Sequence, residues 1–214
     1  MSLPDTHDPK IRDLTPVELR LDPGIVTSTI DWVAVFGAAG RVEVEVGIGK
    51  GRFLLAAAEA RPDVHFLGID WANEYLRIAE SRAAKRRLAN VRFLRVDARE
   101  FVRAVPDASV SAYYVFYPDP WPKKRHHKRR FLQSATAVDL ARALTPCGSL
   151  HVATDHPEYW TAIEAVFDHD SAFERLAAFG DDEFPLPADS PLTNFEAKYH
   201  EQGRARFRAS WRRR

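Results

Sequence analysis

The sequence predicts an α/β fold: a doubly wound, mostly parallel, seven-stranded sheet with helices on both faces. Three observations lead there. Apolar strand patterns alternate with helical ones from Arg41 onward; a glycine turn, Gly47-Ile48-Gly49-Lys50-Gly51, joins the first strand to the first helix; and acidic residues recur after successive strands. Strands separated by helices at this spacing pair in parallel, because each crossover carries the chain back to the same end of the sheet. Ligands of such sheets bind beyond the carboxyl ends of the strands.

Residues 1–26 carry prolines and charges without periodicity and read as a loosely ordered lead-in to a domain spanning 27–214. Val42, Val44 and Val46 alternate as a strand, and the alanine-rich segment with Phe53, Leu54 and Leu55 is helical. Residues 64–69 make the second strand, 74–88 an Arg- and Ala-rich helix, and 91–96 the third strand. Residues 110–116 form the fourth strand, which ends at a Pro-Asp-Pro-Trp turn. Residues 131–144 are helical, 150–154 the fifth strand, and 158–167 a further helix. Residues 173–179 and 205–211 are strand-like, joined by the Pro-rich segment 184–191, and are expected to pair antiparallel at one edge.

A chain of 214 residues that is 45% hydrophobic suits one domain with a sizeable core. The single cysteine, Cys147, allows neither an internal disulfide nor a thiolate metal cluster, so a reducing cytoplasm is the expected setting. No run approaches the ~18–20 apolar residues of a membrane span, and the N-terminus lacks the order of a signal peptide, so a soluble, unexported protein is expected. Net charge is only +1, yet six of the 31 Lys and Arg lie in 123–130, leaving 25 against 30 Asp and Glu elsewhere. Arg204, Arg206, Arg208 and Arg212 to Arg214 form a second basic concentration. Positive charge gathered in this way suits a surface that meets nucleic acid.

Glu45, Asp70, Asp97, Asp119 and Asp155 all fall on the carboxyl edge of the expected sheet. A glycine turn alone is a weak signal, since dinucleotide enzymes use one too. Here the glycines are evenly spaced and Glu45 stands beside them, which opposes a pyrophosphate and favours a cation. S-adenosylmethionine, with its ammonium and sulfonium charges, fits better than NAD. Asp70 can accept from both ribose hydroxyls and Asp97 from the adenine amino group, although either acid could instead cap a helix. Prolines on both sides of Asp119 hold it in one orientation, and the unbroken basic block that follows calls for a polyanion such as phosphate. Trp121 closes that turn as a base-stacking or a packing residue. Adjacent His126 and His127 point different ways and lack Cys/His partners at ligand spacing, so no metal is expected.

The run from Pro118 to Arg130, with Glu45-Val46-Gly47-Ile48-Gly49-Lys50-Gly51, Gly68-Ile69-Asp70, Thr154-Asp155 and Thr193-Asn194-Phe195-Glu196, resembles the bacterial tRNA (guanine-N7)-methyltransferases over roughly residues 32 to 212. The resemblance implies the class I S-adenosylmethionine-dependent methyltransferase type of fold and methylation of N7 of a tRNA guanosine, the one in the variable loop. It implies that Glu45, Gly47, Gly49, Gly51, Asp70, Asp97 and Asp119 line the cofactor site and that Asp119 is also catalytic. Lys123, Asp155, Thr193, Asn194, Phe195 and Glu196 would bind the target nucleotide, and Arg125, His126, His127, Lys128, Arg129 and Arg130 the RNA. Thr193 and Glu196 also fit a helix capping box. The sequence departs from the family where Asp70 replaces a frequent Glu, Tyr117 a commoner Phe and Cys147 a Gly, and in its short N-terminus. Two rival classes are an exocyclic-amine methyltransferase, whose Asn/Asp-Pro-Pro-aromatic order is not matched here, and a non-catalytic RNA-binding protein on the same fold. Whether the chain acts as monomer or homodimer is left open.

Overall fold

Alternating valine and glutamate in β1 (Val42–Val46) would suit a strand with one wet face, yet all five of its residues are buried because β1 lies inside the sheet. A computed structural model describes residues 19–180, 184–187, 192–193, 196 and 205–214. Strands β2 (His65–Asp70), β3 (Val91–Arg95), β4 (Val110–Phe116), β5 (Leu144–Thr154), β6 (Phe173–Arg175) and β7 (Phe207–Arg213) complete a seven-stranded sheet in the order β3-β2-β1-β4-β5-β7-β6. The first five pair in parallel, and β7 runs antiparallel between β5 and β6. Strand order reverses between β1 and β4, which opens a crevice at their carboxyl ends.

Six helices cover the sheet: α1 (Trp32–Phe36), α2 (Arg52–Ala60), α3 (Asn73–Lys85), α4 (Ala98–Ala104), α5 (Ser134–Ala143) and α6 (Pro157–Phe167). Phe53, Leu54 and Leu76 from α2 and α3 pack with Phe66, Phe93 and Tyr114 on one face. Phe101, Leu140 and Ile163 from α4, α5 and α6 pack with Val44, Leu67 and Val115 on the other. Each such buried side chain contributes about 1.5–3 kcal/mol. Gly68 lets α2 approach closely, because a Cβ there would stand 2.4 Å from Leu54 Cδ2. Glu43, buried beside Glu45's strand position, is neutralised by Arg61, by the Tyr114 hydroxyl donating at 2.7 Å and by Arg41 at 3.0 Å, so its charge is compensated inside the protein.

Several boundaries differ from the sequence expectation, among them the edge strands, expected over 173–179 and 205–211 and found at Phe173–Arg175 and Phe207–Arg213. The lead-in read as reaching 26 is already part of the fold at Leu19, which is 0% exposed, and Leu21 N–H donates to Phe93 O at 2.8 Å along the edge of β3. The alternation Val17-Glu18-Leu19-Arg20-Leu21, confined between Pro16 and Pro23, is too short to stand out as a periodic element. Helix α1 was not anticipated and α4 only through Asp97 as a possible cap, since five and seven residues are too few for a helical pattern to repeat. Strand β5 begins at Leu144 rather than 150, because the turn-like residues 145–148 form a bulge within it: Val110 pairs with Leu144 and Ala112 with Ser149.

The bulge places exposed Cys147 at φ 62, a left-handed conformation that a side chain disfavours by roughly 1–2 kcal/mol. Glycine relieves that strain but loses about 0.5–1 kcal/mol to its freer unfolded state. Cys147→Gly is therefore expected to raise stability by about 0.5–1 kcal/mol, seen as a higher urea midpoint at unchanged slope. A lower midpoint would show that the thiol makes a contact worth more than the strain.

Candidate active site

The turn leaving β1 is built on positive φ: 79 at Gly47, 50 at Gly49 and 73 at Gly51. At Gly47 and Gly49 an added Cβ would meet nothing within 4 Å, so the bare backbone faces open space. Gly51 differs, for its Cβ would stand 2.9 Å from Ala79 Cβ; its task is to seat α2 against α3. Asp70, at the end of β2, holds the turn: Oδ2 accepts from Gly49 N–H at 2.9 Å and Oδ1 from Ala72 N–H at 2.8 Å. Burial raises its pKa, those amide bonds oppose the rise, and the charge of Asp119 adds to it. Glu45 is 2% exposed, and its Oε2 has no hydrogen-bond partner among the described residues. Burial lifts its pKa well above the usual range; Leu54 N–H opposes this and the Asp70 charge reinforces it. The acids therefore sense one another across a single crevice.

Two cavities flank Gly47. One, of about 490 Å³, is lined by Glu45, Gly49, Lys50, Tyr117 and Thr193. The other, of about 480 Å³, is lined by Asp70, Trp71, Asp97, Asp119, Trp121 and Arg129. Together they make a divided cleft with carboxylates in both halves and room for an extended ligand bent over the glycine backbone. Asp97 serves twice, capping α4 by accepting from Arg99 N–H at 2.8 Å while facing the second cavity.

Asp119 stands exposed on a strained turn, for Tyr117 (φ 54) and Trp121 (φ 43) bracket it in left-handed conformations. Such strain persists only where the surroundings enforce it. Arg130 supplies the enforcement: it is 5% exposed, its Nε donates to Pro120 O at 2.7 Å, its Nη2 to Glu158 Oε1 at 3.2 Å, and its guanidinium lies 4.8 Å over the Tyr159 ring. The Tyr159 phenol, with its pKa pushed up to about 12 by burial, stays neutral and accepts from Leu132 N–H at 2.9 Å. Residues Lys124–Arg129 form a 3₁₀ turn whose cations point outward, except that Arg129 folds back 4.9 Å over Trp121.

The family model described as "Putative methyltransferase" matches residues 39–209. The chain is 40% identical over 200 residues to a tRNA (guanine-N(7)-)-methyltransferase of Nocardia farcinica, covering 90% of this chain and 74% of that protein. With the namesake enzyme of Aliivibrio salmonicida it shares 36% identity over 189 residues, 88% of this chain and 79% of the relative. The chain belongs to the tRNA (guanine-N7)-methyltransferase family. In fold it resembles the crystal structure of the 16S rRNA methyltransferase KamB, with a TM-score of 0.62 over 85% of this chain and 92% of that one, at 15% identity.

For this member of the tRNA (guanine-N7)-methyltransferase family, the structure gathers Glu45, Gly47, Gly49 and Thr193 in one half of the cleft and Asp70, Asp97 and Asp119 in the other. Lys123 is exposed and Asp155 half-buried; neither lines the two cavities. Asn194 and Phe195 lie outside the described residues. Three expected contacts are corrected. Gly51 is buried under α3 and does not line the cleft. Arg130 is spent on the loop and Tyr159, so it cannot reach outward with its neighbours. Glu196 is 0% exposed, accepting from Leu192 N–H at 2.6 Å and pairing with Arg208, so it anchors the Thr193 turn to β7 from behind. Of the capping box, the Thr193 half is present, its Oγ1 accepting from Glu196 N–H at 3.0 Å. The sequence reading passed over Tyr117 and Trp71, the latter 66% exposed at the rim with Arg95 stacked 5.1 Å over it; aromatic residues directly after strand ends were the available signal.

Proposed function

We propose that this chain transfers the methyl group of S-adenosylmethionine to N7 of a guanosine in tRNA, the variable-loop guanosine implied by the family resemblance. The observation that carries the reading is Glu45: a buried carboxylate oxygen without a hydrogen-bond partner among the described residues, beside bare glycine backbone in the cleft, invites a cation. S-adenosylmethionine, when bound, supplies an electrophilic methyl on a cationic sulfur. Glu45 would hold its positive end, Asp70 its ribose and Asp97 its base, with Gly47 and Gly49 permitting close approach. Guanine N7 carries a free lone pair, so its attack needs no prior deprotonation and no strong general base. As the new N–C bond forms, the methyl–sulfur bond would break and the donor leave as the neutral thioether S-adenosylhomocysteine, so positive charge passes to the purine. Asp119, held rigidly by the strained turn, stabilises that charge and orients the ring through its N–H edge. The outward cations of 124–129 grip phosphates, which supplies affinity without sequence information. A tRNA substrate fits the cytoplasmic setting expected from the sequence. Among the described residues no helix is long and apolar enough to cross a membrane.

Purified protein, labelled S-adenosylmethionine and bulk tRNA, followed by nucleoside mass spectrometry, tests this. N7-methylguanosine is expected; N6-methyladenosine or N2-methylguanosine would point to the amine-methylating rival, and absence of label to a binding protein.

The raised pKa of Glu45 makes a pH prediction. Between the unfolded value near 4.5 and the raised folded one, the folded protein keeps a proton that the unfolded chain has lost, so stability falls as pH rises through that window. A bound cation restores the charge. Binding of S-adenosylmethionine should therefore release a proton and tighten with pH across the same window, measured by calorimetry in buffers of different ionisation enthalpy. Glu45→Gln should lose most of the release, and Asp70, shifted in the same direction by burial, supplies the remainder. Equal proton release in the variant would remove Glu45 from the cationic site.

A further inference from the structure

Many arginines among the described residues are paired, for example Arg20 with Glu80, Arg61 with Glu43, Arg142 with Asp107, and Arg175 with Glu164 and Asp168. Five exposed cations without ion pairs gather on one side of the cleft. Among the described residues, Lys50, Arg52, Arg77, Arg82 and Lys85 make no ion pair, although their side chains share a surface. Lys50, Arg52 and Arg82 line the cavity that holds Glu45, and Arg82 Nη1 donates to Lys50 O at 2.9 Å, tying α3 to the glycine turn. Arg82 also lines a separate groove of about 520 Å³ along α3, with Arg77, Ser81 and Lys85. Residues 74, 77, 78, 81, 82 and 85 share one helix face, on which Glu74 is the sole acid. From Arg77 to Lys85 the face runs about 12 Å. The basic loop 124–129 flanks the other half of the cleft, where Arg129 lines the cavity of Asp119.

We propose that this face of α3 is a second phosphate-binding track, along which the tRNA backbone leaves the cleft on the side away from the basic loop. Its chemistry fits a polyphosphate chain better than a protein, for it offers spaced, unpaired cations and no exposed aromatic anchor of the kind that dominates protein interfaces. The inference rests on tRNA being the substrate. It adds that the substrate is gripped on both sides of the reacting base, which sets the base's position over the crevice.

The test uses Arg77→Gln/Lys85→Gln, because neither residue lines the donor cavities. Binding of tRNA is measured by fluorescence anisotropy between ~50 and ~200 mM salt, and S-adenosylmethionine binding by calorimetry. Removing two phosphate contacts should flatten the slope of log affinity against log salt by about 1.4–1.8 and weaken binding severalfold, with donor affinity unchanged. The charge-keeping Arg77→Lys/Lys85→Arg should retain the parent slope. A parent slope in the Gln variant, or an equal loss in the charge-keeping one, overturns the proposal. A second measurement places a photo-crosslinker on Ser81→Cys in a Cys147→Gly background: a cross-link to tRNA is expected, and none, while the same probe at Lys124→Cys does link, overturns it. Salt-sensitive binding through α3 without any methylation would leave the track standing and sink the enzymatic reading; methylation with a parent slope would do the reverse.

Discussion

Asp119→Asn is expected to slow single-turnover methylation of tRNA by roughly 10²–10³-fold at saturating tRNA and cofactor, while tRNA affinity changes little. Asparagine keeps the shape and one acceptor oxygen, and the clamp from Arg130 to Pro120 O stays in place, so the turn should hold. Only the negative charge is lost. That charge matters most once the purine becomes cationic, which is why the loss should appear in the rate and not in binding. A variant that methylates within about threefold of the parent would remove Asp119 from the mechanism and leave positioning as the main source of rate.

Asp70→Ala should weaken S-adenosylmethionine binding by about 10²-fold or more. Two ribose hydrogen bonds to a charged acceptor are worth on the order of 1.5–3 kcal/mol each. The structure adds a second loss, for Asp70 Oδ2 also holds Gly49 N–H, and without it the glycine turn is less well preorganised. Asp70→Asn should fall between, since its remaining oxygen can serve one of these donors. Calorimetry with the cofactor, checked against a thermal melt, separates binding from stability. Unchanged affinity in a folded Ala variant would mean that Asp70 holds the turn and nothing more.

Much of this site was legible because it sits where periodic patterns stop. Residues 110–116 carry a clean strand pattern that ends at a proline, and β4 has those same limits; the acids after β1, β2, β3 and β4 were then bound to share one edge. Glu45 was legible from its place beside evenly spaced glycines. What could not be read were roles decided by partners distant in sequence. Arg130 looks identical to Arg129 within the basic run, and only Tyr159 and Glu158, about thirty positions on, reveal that one is a clamp and the other a surface cation. Glu196 likewise read as a nucleotide contact until Arg208 drew it inward. Turn-like composition misled at 145–148 because a bulge and a strand end call for the same residues.

The placement of β7 between β5 and β6 has a consequence for biosynthesis. As the chain leaves the ribosome, β1 to β5 and their helices can assemble in order, and with them the half of the cleft lined by Asp70, Asp97 and Asp119. Strand β6 has no neighbour to join until residues 207–213 emerge, a delay on the order of seconds at about 5–20 residues per second. Through that interval β5 presents a bare edge, and Glu196 lacks the Arg208 that seats the Thr193 turn. A nascent chain would thus form both basic flanks and most of the cleft early, and Thr193, which completes the cavity of Glu45, would be seated last, when β7 closes the open edge of β5.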